Sequence, residues 1–298
     1  MNRRLSLLAI VVAIMGSGSL APAISAAAAN TSTTFTTIDA PGAVNGTFVY
    51  DINGRGDIVG FFSDEFSQLH GFLLSNGTFT IIDAPGAVNG TAIFGINQAG
   101  DMVGASYDAS FEARGFLLSQ GTFTSIDAPG AVHGTLPVSI NDVGDIAGVF
   151  TDASSNFHGF LVSRGEFATI DAPDAVGSTA AEGINNRGDI VGYFYGASGQ
   201  HGFLASGGTY NVIDVSAQTF PVRINDRQEV LGQFNDDSGQ HGFLLSAGTF
   251  AAIDAPGAVY TVAAGLNDRG DIVGFFADSS GLQHGFLRRN GRPSPSLK

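Results

Sequence analysis

Phe35-Thr-Thr-Ile-Asp39 opens a pattern that continues through Ile52-Asn53, Gly56-Asp57-Ile58-Val59-Gly60 and His70-Gly71-Phe72-Leu73, and then starts again. Its first segment returns at residues 79–83, 123–127, 167–171, 210–214 and 250–254, and the other segments follow in every copy. A repeat of about 40–45 residues, strand-like and broken by glycine, is the sequence signature of a β-propeller blade.

One copy reads as four strands. Residues 35–39 alternate around β-branched side chains and stop at Ala40-Pro41-Gly42, a strong turn signal. Residues 47–52 form the second strand. Asn53-Gly54-Arg55-Gly56 is a tight reversal in which Asn bonds its own backbone and Gly takes positive φ. Residues 57–62 and 70–75 are the third and fourth strands. Asn76-Gly77 is a two-residue hairpin turn into the next copy. Counting outward from that turn puts Ser75 opposite Thr78, Phe72 opposite Ile81 and His70 opposite Asp83. The same count pairs Arg114 with Asp127, His158 with Asp171, His201 with Asp214 and His241 with Asp254, while His284 and Asp39, at opposite ends of the chain, can meet only if the ring closes. The chain starts on the first kind of strand and ends after the last kind, so its ends are complementary parts of one blade. The expectation is an all-β, six-bladed β-propeller of four-stranded antiparallel blades, closed by the N-terminal strand in the last blade. Closure removes the open edge that invites aggregation. A β-helix is the alternative, although its coils need only about 20–30 residues.

Glycines recur inside strands at Gly60 and Gly71 and their counterparts, where a neighbouring blade face is expected to approach closely. Phe72 and its counterparts are expected to fill the layer between blades, beside Ile38 and Ile52.

Residues 1–29 differ from the rest. Arg3-Arg4 precedes an apolar run and then small residues up to Ala26-Ala-Ala-Ala29, the layout of a secretory signal peptide. Residues 30–34 read as a short linker, 35–291 as the repeat domain and 292–298 as a flexible tail. No second apolar run approaches the ~20 residues of a membrane span, so an exported protein without a span, secreted, periplasmic or on the cell surface, is expected. It has no cysteine and a formal charge of -14. That acidity argues against nucleic acid and anionic membranes as partners.

The run Ile-Asn-x-x-Gly-Asp-Ile-Val-Gly, a polar loop, then His-Gly-Phe-Leu resembles the HAF family of extracellular repeats, named for a His-Ala-Phe motif. The resemblance covers about residues 35–291. This chain has Gly for Ala, lacks the Trp that often follows, and carries Ile-Asp-Ala-Pro-Gly in place of a Leu-Gly-rich segment. The resemblance implies an exported repeat protein and carries over no catalytic residues.

Chemistry is sparse in the pattern. His70, His158, His201, His241 and His284 share one repeat position, which the second copy fills with Arg114. A metal ring does not accept Arg as a ligand, so a structural donor to the facing aspartate is the better reading. The Asn-x-x-Gly-Asp turns lack the carboxylates and closing Glu of a calcium loop. Loop acids Asp64, Glu65, Asp108, Glu112, Asp152, Asp236, Asp237 and Asp278 form a solvated rim, sharing a face with the Ala-Pro-Gly loops. At most weak calcium binding is expected there, and no other cofactor. Nucleophile-elbow, zincin and phosphate-loop motifs are absent, and the only lysine is Lys298. Where copies disagree, just before Ile-Asn, they read Asp51, Gly95, Ser139, Gly183, Arg223 and Gly265, with Glu182 one residue earlier in the fourth copy. Asp51, Glu182 and Arg223 are therefore the candidate ligand-binding residues near the axis, although drift between copies explains them equally. The expected function is a monomeric binding module for an extracellular protein or a small polar ligand. Two alternatives remain: a metal-assisted hydrolase or lyase with an acidic axial pocket, and a structural surface or matrix protein.

Overall fold

The computed structural model describes residues 33–216 and 218–290; the signal peptide, most of the linker and the C-terminal tail read from the sequence lie outside them. Every element among the described residues is a β-strand. The described residues begin with β1 (Thr33–Ile38). The first set is β2 (Thr47–Ile52), β3 (Ile58–Ser63), β4 (Leu69–Ser75) and β5 (Thr78–Ile82). The second is β6 (Gly90–Ile96), β7 (Met102–Tyr107), β8 (Ala113–Ser119) and β9 (Thr122–Ile126). Then come β10 (Thr135–Ile140), β11 (Ile146–Thr151), β12 (Phe157–Ser163) and β13 (Glu166–Ile170). The next set is β14 (Thr179–Ile184), β15 (Ile190–Gly196), β16 (Gly199–Ser206) and β17 (Thr209–Ile213). It is followed by β18 (Thr219–Ile224), β19 (Val230–Asp236), β20 (Gly239–Ser246) and β21 (Thr249–Ile253). The last three strands are β22 (Tyr260–Leu266), β23 (Ile272–Ala277) and β24 (Gln283–Asn290).

Ring closure follows the sequence reading. β1 pairs antiparallel with β24, so the final sheet runs β1-β24-β23-β22. The side chain of Ile38 joins Phe72, Ile52 and Leu287 in one buried cluster, which ties the last strands to the first. Phe72, Phe116, Phe160, Phe203, Phe243 and Phe286 are all buried. The layers between strand sets are apolar, as the pattern required.

Two expectations about the sheets need correction. Six separate sheets were expected, but the strands form four separate four-stranded sheets and one eight-stranded sheet. The eight-stranded sheet keeps the orders β2-β3-β4-β5 and β6-β7-β8-β9 and joins them by one parallel bridge, Leu69 to Gly90. Gly90 sits at φ +105°, and a Cβ there would fall on the Leu69 backbone; only glycine lets the strands run that close. The second correction concerns Gly60. A Cβ there would strike the Phe48 carbonyl of its own sheet, not a neighbouring one. The second glycine series does serve the contact between strand sets: a Cβ on Gly115 would lie 2.6 Å from Pro137 Cδ.

The outer hairpin has the register read from its turn. Asn76 and Gly77 take φ of 50° and 80°, and Ser75 faces Thr78 while Phe72 faces Ile81. The expected donor–carboxylate pairs form at His70–Asp83 (3.1 Å), His158–Asp171 (3.0 Å), His201–Asp214 (2.8 Å) and His241–Asp254 (2.7 Å). His284 reaches Asp39 at 2.8 Å across 245 positions of chain, which requires the closed ring. Arg114 departs from the expectation: its guanidinium turns to Asp108 at 3.2 Å, because its longer side chain overreaches the facing strand end and meets its own loop.

The loop acids have their own task. Asp64 Oδ1 accepts the backbone N–H of Phe66 and Gln68, both at 2.8 Å, while Oδ2 lies 3.6 Å from His70 Nε2. Asn45 Nδ2 donates to Asp64 O at 2.6 Å, so these loops share a face with the Ala-Pro-Gly loops, as expected. Partial burial pulls the His158 and His284 imidazoliums down, but bonds to their paired aspartates outweigh it and hold both above the ordinary 6.5. Their stabilisation is therefore present below that value and lost as pH rises through the folded pKa.

Candidate functional site

The innermost strands create the axis. Each carries a register shift, at Val49/Asp51, Ile93/Gly95, Pro137/Ser139, Ala181/Gly183, Pro221/Arg223 and Ala263/Gly265. Such a bulge inserts an extra residue and re-aims the side chains beside it. The inserted residues Tyr50, Phe94, Val138 and Ala264 meet in one buried cluster.

The residues after them alternate around the ring: Asp51, Gly95, Ser139, Gly183, Arg223, Gly265. The alternation is steric. A Cβ on Gly183 would lie 2.8 Å from Arg223 Cα, and one on Gly265 would lie 2.7 Å from Asp51 Cα. Three side chains fit only because three neighbours have none, so this variation between copies is a packing solution. Asp51 accepts the backbone N–H of Ile96 at 3.1 Å, and Ser139 that of Ile184 at 3.3 Å. Arg223, 5% exposed, crosses the axis. Its Nη1 donates to Glu182 O (3.0 Å) and Val222 O (2.8 Å), and its Nη2 to Phe94 O (2.7 Å) and Val138 O (3.3 Å). Nε lies 3.6 Å from Asp51 Oδ1 and has no hydrogen-bond acceptor among the described residues. Burial raises the Asp51 carboxyl above its ordinary value, against the pull of Arg223. Arg223 is thus a bracket between four strand sets, with Asp51 as its counter-charge from a fifth.

Above the bracket lies a cavity of about 80 Å³. Asp51 and Arg223 line it and Glu182 does not. Asn53, Asn141, Asn185, Asn225 and Asn267 line it, and with Asn97 they form a closed circuit that local sequence reasoning missed. Asn53 Nδ2 donates to Asn97 O, Asn97 to Asn141 O, Asn141 to Asn185 O, Asn185 to Asn225 O, Asn225 to Asn267 O, and Asn267 back to Asn53 O, all at 3.0–3.3 Å. Each Asn also serves its own turn: Asn185 Oδ1 accepts Arg187 N and Asp189 N, while Nδ2 donates to Asp189 Oδ2 at 2.9 Å. The sequence did hold a signal. The fifth turn loses both Gly and Asp, with Gln228 at φ 59°, yet keeps Asn225. A turn alone tolerates Asp, Ser or Gly there; an amide side chain completes the circuit, because its oxygen serves the turn while its NH2 reaches the next carbonyl.

The mouth is formed by the residues after these asparagines. Asp142 Oδ1 accepts Gln98 N (2.8 Å), Asn186 Oδ1 accepts Asp142 N (2.7 Å), Asp226 Oδ1 accepts Asn186 N (2.9 Å), and Asp268 Oδ1 accepts Asp226 N (2.9 Å). Asn186 Nδ2 also bonds Asp142 Oδ2 at 3.0 Å and Asp226 Oδ2 at 2.8 Å. The chain of bonds is interrupted at Gly54, which has no side chain to continue it.

Glu182 lies on the bulge row, among aromatic groups. Burial pushes its carboxyl up to about 7 against the pull of Arg223, and its charge helps to raise the already buried Tyr50 and Tyr193 hydroxyls. A carboxyl raised on folding contributes stability at low pH that is lost as pH climbs from the ordinary 4.5 through about 7. Glu182→Gln keeps the shape without the charge. It is expected to stabilise the protein by roughly 1–3 kcal/mol at pH 8 and by little at pH 5, as read from urea melts at both pH values; an equal effect at both would remove the titration at this site.

Among the described residues no group of three or more His, Asp or Glu side chains is arranged to hold a metal ion, and no helix is long and apolar enough to cross a membrane. No protein-family model matches the chain, and no curated protein matches it. Solved structures do. AofleA from Arthrobotrys oligospora is similar at 13% identity over 87% of each chain, with a TM-score of 0.56. Virginiamycin B lyase from Staphylococcus aureus is similar at 12% identity over 86% of this chain and 99% of that one, with a TM-score of 0.52. The Aleuria aurantia lectin, a six-bladed β-propeller with a fucose recognition mode, is similar at 10% identity over 86% and 99%, with a TM-score of 0.52. At these identities the likeness shows the fold alone: the chain is an all-β protein of β-propeller architecture.

Proposed function

We propose that this chain is an exported six-bladed β-propeller that works as a binding module, taking a small polar ligand, or a polar side chain of an extracellular partner, at the asparagine-walled end of its axis. The carrying observation is the axial cavity, walled by amides and rimmed by Asp142, Asp226 and Asp268. At about 80 Å³ it has room for a few water molecules, so it suits a head group and not a whole sugar ring. The rim favours a cationic or hydroxyl-rich group, consistent with the charge of -14. The layout of residues 1–29 and the HAF-like pattern support an extracellular setting. The lectin and lyase neighbours support no particular ligand, because the shared feature is the fold.

The test is a thermal-shift screen with fucose, glucosamine, alkylammonium and guanidinium compounds, followed by calorimetry. A ligand of the native state at a hundred times its Kd adds about 2.7 kcal/mol. Guanidinium or amine compounds are expected to raise the midpoint, and Asp142→Asn with Asp226→Asn to weaken them at least tenfold. A shift that survives the double variant would place binding elsewhere; no shift from any compound would favour the structural reading.

A further inference from the structure

We propose that Ser198, His201 and Asp214 form an acyl-transfer site that hydrolyses small uncharged esters. The hairpin from β15 to β16 turns through Ala197-Ser198, with Gly196 facing Gly199, and leaves Ser198 exposed at its tip. Asp214 Oδ2 lies 2.8 Å from His201 Nδ1, and Gly202 N–H holds the other carboxylate oxygen at 3.3 Å. With the imidazole proton kept on Nδ1, Nε2 presents its lone pair to the Ser198 hydroxyl 2.7 Å away. The Phe194 ring packs against the imidazole at 5.5 Å and limits its rotation. Nucleophile, base and orienting carboxylate therefore stand in the order that activates a serine.

The other repeats act as internal controls. In four of them Nε2 faces a loop carboxylate: Asp64 at 3.6 Å, Asp152 at 3.4 Å, Asp236 at 3.2 Å and Asp278 at 3.5 Å. The fourth repeat has Gly196 where the fifth has Asp236, and there a hydroxyl takes the place of the carboxylate. Ser238 also lies 2.9 Å from His241 Nε2, but its hydroxyl donates to Asp236 Oδ1 at 2.6 Å. Its proton is already committed to a carboxylate.

In the reaction, Ser198 Oγ attacks the ester carbonyl while its proton passes to His201 Nε2. The ester C–O bond breaks, and the leaving oxygen departs with that proton. Water then attacks the acyl-serine, giving one proton to Nε2, which returns it to Ser198 Oγ as the carboxylic acid is released. The open turn suits short acyl groups, the exposed Tyr195 on the same hairpin offers an apolar face to an aryl leaving group, and the acidic surface disfavours anionic esters.

The probes are p-nitrophenyl acetate turnover and labelling by a fluorophosphonate, with the labelled peptide identified by mass spectrometry. Labelling at Ser198 is expected, together with turnover of the ester. Ser198→Ala should abolish the label and lower the rate at least about a hundredfold, the low end for losing base assistance, without changing the melting midpoint. Ser238→Ala should leave both readouts unchanged. A label elsewhere, no label, or a Ser198→Ala variant as fast as the parent would overturn the assignment.

Discussion

A chain lacking residues 1–40 is expected to lose more than about 5 kcal/mol, or to precipitate, when compared with a chain lacking only residues 1–32. The shorter chain gives up the whole of β1, a strand paired along its six residues with β24. It loses the burial of Ile38 at 6% exposure, with Phe35 packed 5.5 Å from Phe286. Burying one such side chain is worth about 1.5–3 kcal/mol, and each ladder bond about 0.5–1.5 kcal/mol. It also loses Asp39, the partner of His284. What remains is an exposed edge on β24, the template for pairing between molecules. Thermal melts and light scattering report both effects. Midpoints within about 2 °C of each other, where this loss should shift them by more than about 10 °C, would mean that the ring does not depend on the N-terminal strand.

Asn185→Asp is expected to cost about 3–5 kcal/mol at pH 7, the range for leaving a buried charge uncompensated. The change is isosteric, and Asp accepts the N–H groups of residues 187 and 189 as well as Asn does. If the residue served only its turn, the substitution would be neutral. In the ring it removes two donors at a 3% exposed position and sets a carboxylate against Asp189 Oδ2 and the carbonyl of Asn225. Part of the loss should return as the pH falls, because burial and the facing Asp189 raise the new carboxyl so that it takes up a proton above the ordinary aspartate range. An unfolding free energy within about 1 kcal/mol of the parent would show that the circuit is dispensable.

The contrast between these two sites shows where sequence reasoning worked. The strand at residues 47–52 appears with those bounds, and the register of β4 on β5 follows from Asn76-Gly77, because turn type and register are set by neighbours in the chain. The His–Asp pairs within a hairpin followed by counting from that turn, and His284 with Asp39 followed from the expected closure of the ring. Arg114 did not, because the reach of a side chain is not a property of register. The turn at Asn185 was read as a turn, and its second bond, to a residue 40 positions away, was not.

By itself, then, the sequence determined the strands, their turns, their order and the complementary ends, since all of these arise from short-range backbone chemistry repeated at a fixed spacing. The tertiary structure alone decided what happens at the axis. Six inner strands converge there on a space that admits three side chains, so Asp51, Ser139 and Arg223 project where Gly95, Gly183 and Gly265 yield. Arg223 finds Phe94 O across 129 positions, and the six asparagines close a circuit through one another's carbonyls. None of these contacts has a local signature, because each depends on how far apart the repeats stand once the ring has closed.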